Sequence, residues 1–250
     1  MIDRRSVFYT FKFAFVAMIS CILILLSGLL LGSYLRKRGE MSKEVSINGS
    51  RVVYVIDAGH GGEDAGAIAS DGTLEKDLNL DIASTLASLL ELNGNSVRMT
   101  RDTDTLLYDY YDDLTDYTGQ KKVYDLKNRV KITKELDCPV YVGIHMNKFH
   151  LEKYSGMQIY YSANNDEGVI IANRIKDANR LYLQKDNKRE IKKADSSIYI
   201  LNNIDCPGVL IECGFLSNEN ELNQLKDKDY QEKLSLTIFC ALTKSERQGN

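Results

Sequence analysis

A chain of 250 residues, 44% hydrophobic and 27% charged, has the material for one large domain or two small ones, and its composition excludes a disordered tract, a collagen and a repeat array. The 32 basic and 35 acidic residues give a net charge of −3, but six of the basic residues and one acidic residue precede Gly39, leaving 26 basic against 34 acidic residues and a charge of −8 beyond it. A domain that acidic, without a basic stripe interleaved with aromatics, excludes nucleic acid as a partner. Residues 1–12 form a short N-terminal tail, and residues 13–35 are the first element. These 23 consecutive uncharged residues, FAFVAMISCILILLSGLLLGSYL, exceed the roughly 20 needed to cross a bilayer core as a helix. A secretory signal usually has an apolar core of about 7–15 residues and a small-residue cleavage site. Here the run is longer and no A-x-A site follows, so the segment predicts a transmembrane anchor, with a cleaved signal and secretion as the alternative. Arg4, Arg5 and Lys12 before it balance Arg36, Lys37 and Arg38 after it, so charge does not set its orientation.

A linker over residues 36–50 leads into one domain over 51–246. VVYVID (52–57) is apolar without alternation, the pattern of a strand buried on both faces of a parallel sheet, and VYVGIH (140–145) and GVLIECG (208–214) repeat it. Leu78, Ile82, Leu86, Leu89 and Leu90 form a helical stripe that stops at Asn93-Gly94. SVRMT (96–100) predicts a strand, and Asp102 to Gln120, rich in aspartate and tyrosine, a solvated loop. Val123, Leu126 and Val130 mark a helix over about 122–136, MQIYY (157–161) a strand, and 166–184 and 229–244 two more helices. Strands alternating with helices predict a single α/β domain with a mostly parallel twisted sheet flanked by helices.

Cysteine adds little chemistry. Apart from Cys21 in the apolar run, Cys138, Cys206, Cys213 and Cys240 form no C-x-x-C pair, which disfavours a cysteine zinc site. Buried thiols are the simple reading, with a 138–206 disulfide left open.

The three histidines are more informative. His60 and His145 stand at the carboxyl ends of two of the buried strands, and Glu212 occupies the same place on the third. Ligands of open parallel sheets bind outside those ends, so these three residues are expected to converge. Glu75 opens the helix after the glycine-rich turn DAGHGGEDAGA and can come close to His60. Two imidazoles and a carboxylate with an open position make a catalytic zinc site, and a second carboxylate beside it can take a proton from water. Each residue also has a plainer reading. His60 can be a hydrogen-bond donor in a glycine-rich turn, Glu75 can simply favour a helix dipole, and His145 can be a core histidine satisfied by a carbonyl. Glu212 is harder to explain away, because an ionisable group inside VLIECGF is costly to bury without a partner. His150, in a polar stretch past its strand, reads as a surface residue. The GHGG turn lacks the Gly-Lys-Ser/Thr of a phosphate loop.

DAGHGGEDAGA, LEKDLNLDIA, GIHMN and VLIECGFLSN, in that order and spacing, resemble the zinc-dependent N-acetylmuramoyl-L-alanine amidases of the Amidase_3 type over roughly residues 51–245. The resemblance implies zinc (Zn2+) bound by His60, Glu75 and His145, with Glu212 as the catalytic glutamate. DLKNRVKI, YQEKL, the single N-terminal hydrophobic segment and the lack of an added wall-binding module look most like the spore-cortex, CwlD-like branch. Ala58, commonly Pro, and Gly143 and Met146, commonly Ser and Ala, depart from the pattern, but none of them is an expected ligand. The implied reaction is hydrolysis of the amide between N-acetylmuramic acid and L-alanine in peptidoglycan, clearing stem peptides from spore cortex so that muramic-δ-lactam can form. The substrate then places the domain outside the membrane, where an accessory or activating protein is an expected partner. A tethered, catalytically silent wall-binding scaffold and a zinc carboxypeptidase acting on the stem peptide are the alternatives. The latter needs a cation for a terminal carboxylate, and neither Arg101 nor Arg129 has a place in the cleft that the sequence can assign.

Overall fold

The computed structural model describes residues 52–137 and 139–244. The chain runs β1 (Val53–Ala58), α1 (Glu75–Leu92), β2 (Ser96–Met99), α2 (Lys121–Lys134), β3 (Val140–Asn147), β4 (Gln158–Tyr161), α3 (Glu167–Tyr182), β5 (Lys192–Lys193), α4 (Tyr199–Asn203), β6 (Gly208–Phe215), α5 (Glu219–Lys226) and α6 (Lys228–Thr243). The anchor expected at 13–35, the linker after it, Cys21 and Cys138 lie outside the described residues, so the 138–206 disulfide does too. Among the described residues, no helix is long and apolar enough to cross a membrane.

The three unbroken apolar runs become neighbours at the centre of the sheet, whose order is β2-β1-β3-β6-β4-β5. Pairing is parallel from β2 through β6, with Tyr141 opposite Gly208 and His145 opposite Glu212, and antiparallel only where β4 meets β6. This is the expected α/β domain with a mostly parallel sheet. Side chains alternate across it. Ile56, Val142, Ile144 and Ile211 face one side, where α1, α3 and α6 cover them with Leu86, Leu90, Ile175, Leu234 and Ile238, all fully buried. Val55, Tyr141 and Leu210 face the other side, against Val130 of α2 and Ile200 and Leu201 of α4. Helix α1 follows its predicted stripe. It ends where predicted, with Gly94 at φ +88° closing the last turn through its N–H to Glu91 O.

Three readings need correction. The segment 102–120 has no helix or strand but is not simply solvated: Leu106, Leu107 and Tyr117 are buried, and Leu107 N–H donates to Asp125 at 2.8 Å. Helix α2 buries only part of its predicted stripe: Val130 is buried and Leu126 packs partly against the same apolar face of the sheet, but Val123 is 51% exposed, while Asp125, Asn128 and Arg129 are buried because the helix also covers a polar network. Cys240, expected to be buried in its apolar run, is exposed, whereas Cys213 is buried as expected.

The polar network lies beneath the end of β1. Arg129 of α2 donates to Asp57 and Asp125, and to the carbonyls of Ala58 at 2.9 Å and His60 at 2.7 Å. Thr100 and Tyr141 hydroxyls complete the shell of Asp57. Burial alone would raise the Asp57 carboxyl, but the Arg129 charge and these two hydroxyls hold it below its ordinary value. Removing the guanidinium strands two carboxylates without a counter-charge. Arg129→Ala should therefore cost roughly 3–5 kcal/mol of stability, read as a lowered urea midpoint at unchanged slope. A shift under about 1 kcal/mol would show that the network is not a structural centre.

Candidate metal centre

The site is built on the turn after β1. Gly59 N–H bonds Ile144 O across the sheet, and the chain then reverses through His60 at φ +63°, Gly61 at +140° and Gly62 at +53°. A left-handed conformation at His60 costs about 1 kcal/mol or more. It is held from behind by the carbonyl bonds of Arg129, and by Arg101, which donates to Ala58 O at 2.8 Å, Gly59 O at 3.0 Å and Lys76 O at 2.8 Å. From the front, Asp104 accepts the Gly62 N–H at 2.7 Å and pairs with Lys76.

Glu75, the first residue of α1, is 3% exposed. Its Oε1 lies 3.3 Å from His60 Nε2 and 3.1 Å from His145 Nδ1, and accepts Met146 N–H at 3.1 Å, while Oε2 accepts Ala67 N–H at 2.7 Å. Burial would raise this carboxyl, but the two imidazoles outweigh it and hold it far below the carboxylate range. One donor atom from each of His60, Glu75 and His145 falls within 4.8 Å of the others. Two imidazole nitrogens and a carboxylate oxygen are the donor set of a catalytic zinc ion. Glycines leave the space for it: a Cβ on Gly59 would meet His145 Cε1 at 2.2 Å, and one on Gly66 would meet Glu75 Oε2 at 2.6 Å.

Glu212 stands beside His145 on the neighbouring parallel strand, and alternation places both on the sheet face that carries Tyr141 and Leu210. Its Oε2 is buried with no hydrogen-bond partner. Burial pushes Glu212 up to about 7, with nearby His145 and His60 opposing the rise and Glu75 adding to it. On His60 burial lowers the pKa, but hydrogen bonds and charge from Asp64 and Glu75 prevail and raise it to about 9. The four expected site residues are thus brought together. His150 is exposed and lies against Phe149, ring centroids 4.2 Å apart, outside the cluster.

Sequence reasoning missed Asp57, Asp64, Arg101 and Arg129. The two arginines are 3% and 1% exposed, with donors committed to backbone carbonyls and to Asp57 and Asp125, so neither offers a cation to a substrate carboxylate. The carboxypeptidase alternative loses the only cations considered for it.

Residues 54–244 match the family model Amidase_3, described as N-acetylmuramoyl-L-alanine amidase. The germination-specific N-acetylmuramoyl-L-alanine amidase of Bacillus subtilis is 35% identical over 189 residues, covering 76% of this chain and 77% of the relative. The solved structure of the CwlD amidase from Clostridioides difficile in complex with the GerS lipoprotein superposes with a TM-score of 0.71 at 39% identity, covering 77% of this chain and 96% of that one. The amidase AmiC2 of Nostoc punctiforme gives 0.63 at 26% identity, covering 78% and 96%.

The glycine cradle can be tested directly. Gly59→Ala should displace the His145 ring and weaken Zn2+ binding by at least about 10-fold in chelator competition, with the far-UV circular dichroism unchanged. Unaltered affinity would mean that His145 tolerates displacement.

Proposed function

The chain belongs to the Amidase_3 family of N-acetylmuramoyl-L-alanine amidases, and from that premise we propose that it is a zinc enzyme that strips stem peptides from the peptidoglycan of spore cortex. The observation that carries the proposal is the convergence of His60, Glu75 and His145 beside a buried Glu212 oxygen that has no partner. In this reading the two histidines and Glu75 hold the metal. Zinc, when bound, supplies Lewis acidity to the amide carbonyl and eases ionisation of water. Glu212 accepts the proton of the attacking water and returns it to the departing amine of L-alanine. The products are a lactyl carboxylate on intact glycan and a peptide with a free amino terminus. A silent wall-binding scaffold has no use for a buried general base beside a metal set.

The cortex assignment follows the germination-specific relative and the CwlD neighbour. Removal of the peptide prepares muramic acid for lactam closure by separate chemistry. The polymer lies outside the membrane, so the domain is placed there too, tethered by residues 13–35. The GerS complex of the CwlD neighbour makes an extracytoplasmic accessory protein the expected partner.

Two experiments test this reading. Glu212→Gln should abolish release of peptides from purified peptidoglycan while keeping about one zinc per chain, whereas His60→Ala and His145→Ala should lose both metal and activity. Mass analysis of wild-type digests should find bare muramic acid and peptides beginning with L-alanine; shortened glycan or free D-alanine would identify another hydrolase. The anchor is tested separately by amino-terminal sequencing of the native protein, which should find the start uncut in the membrane fraction. A start at Ser33 or beyond would show a cleaved signal.

A further inference from the structure

The turn that carries His60 also folds another carboxylate against it. Asp64 Oδ2 lies 2.8 Å from His60 Nδ1, with the two side chains 21% and 19% exposed. This contact is built into the backbone. Gly61 and Asp64 exchange both main-chain hydrogen bonds at 3.0 Å, closing a two-residue turn that brings the carboxylate back beneath the ring. The other carboxylate oxygen accepts the Gly66 N–H at 3.4 Å, and Lys122 of α2 approaches Oδ2 at 3.5 Å. The opposite ring nitrogen, Nε2, faces Glu75 Oε1.

We propose that Asp64 is the positioning residue of the metal centre: it accepts the proton-bearing Nδ1 of His60 and so presents the Nε2 lone pair to the ion. A neutral imidazole has one N–H and one lone pair, and the hydrogen bond at one nitrogen decides which is which. A carboxylate is the strongest acceptor available for the task, because it fixes ring orientation and makes the opposite nitrogen a better donor to metal. Neither Arg101 nor Arg129 can do this, since a guanidinium has only donors and cannot accept the Nδ1 proton. An ordinary surface ion pair would add little and would leave metal affinity untouched.

The inference rests on the metal role of His60, and the test separates the two. The full chain is purified as wild type, Asp64→Ala and Asp64→Asn, and each is stripped and titrated with Zn2+ against a chelator and with Co2+ followed by visible absorption. Asp64→Ala should weaken Zn2+ binding about 10–100-fold and alter the Co2+ ligand-field bands, with the thermal midpoint of the metal-free protein unchanged. Asp64→Asn keeps an oxygen acceptor at the same place and should recover most of the affinity and the wild-type band shape. Equal affinity in wild type and Asp64→Ala would overturn the positioning role while leaving the metal site standing. So would a fall in metal-free stability matching the loss of affinity in both variants. Absence of Zn2+ binding by the wild type would overturn the metal reading itself.

Discussion

A guanidinium with 1% exposure has five N–H donors and almost no water to receive them, so each donor must find an acceptor inside the protein. Arg129 finds its acceptors in Asp57, Asp125 and the carbonyls of Ala58 and His60. Burial would lower its pKa, but the two carboxylates reverse this and keep the charge secure. The position of His60 depends on that constraint. A non-glycine residue at φ +63° does not hold its conformation by its own preference, and the bond from Arg129 to its carbonyl fixes the peptide on the far side of the ring. Arg101 does the same for Gly59 and ties the turn to the first turn of α1, where Glu75 stands. His60 and Glu75, from separate elements, are thereby set against each other by charges that touch only the backbone, not either side chain.

The parity of the strands supplies the rest. Residues of β3 and β6 that share a face with Tyr141 and Leu210 point away from the three long helices, towards α2 and the short α4. His145 and Glu212 fall on that face at the carboxyl end of the sheet, as paired neighbours in the register. Shifting one of these strands by one residue would send its own member of the pair into the Leu86 and Ile238 core instead. Cys213 shows the contrast. One residue beyond Glu212, it faces the opposite side, where burial pushes its thiol well up and leaves it inert.

Much of this was legible because it is carried by period and by strand ends. Unbroken apolar runs identify the buried strands, the 3.6-residue stripe identifies α1, and the ends of parallel strands are where ligands gather, so His60, His145 and Glu212 could be named in advance. Glu75 could be brought near His60 by its place after the glycine-rich turn, but a glutamate in a first helical turn has a helix dipole to explain it, and only the family resemblance implied it as the ligand and Glu212 as the catalytic residue. The supporting polar groups were not legible. Asp57 sits inside an apolar run where it reads as the strand's last residue, and Arg129 sits among the charged residues of DLKNRVKI (125–132), where it reads as a solvated neighbour of the apolar stripe. The only signal available was Asp125 four residues before Arg129, a spacing equally common on solvated helices. The antiparallel β4 and the buried leucines of 102–120 depend on tertiary contacts that no local pattern encodes.

The segment 102–107 shows why such supports matter to function. Thr105 O occupies the space where a Cβ on Gly61 would lie, 2.1 Å away, and Asp104 bridges Gly62 and Lys76. The glycines of the turn are therefore needed on two counts: they take positive φ, and they let a neighbouring chain close over the turn. Asp104 of that segment meets a backbone N–H of the turn and Lys76 of α1 beside it, so the attraction is one of charge as well as shape. With α2 behind, α1 beside and 102–107 in front, the His60 turn is enclosed by elements distant in sequence. Its geometry is a property of the whole end of the sheet. Substitutions at Asp57, Arg101, Asp104 or Arg129 consequently reach the candidate ligands His60 and Glu75 through the backbone.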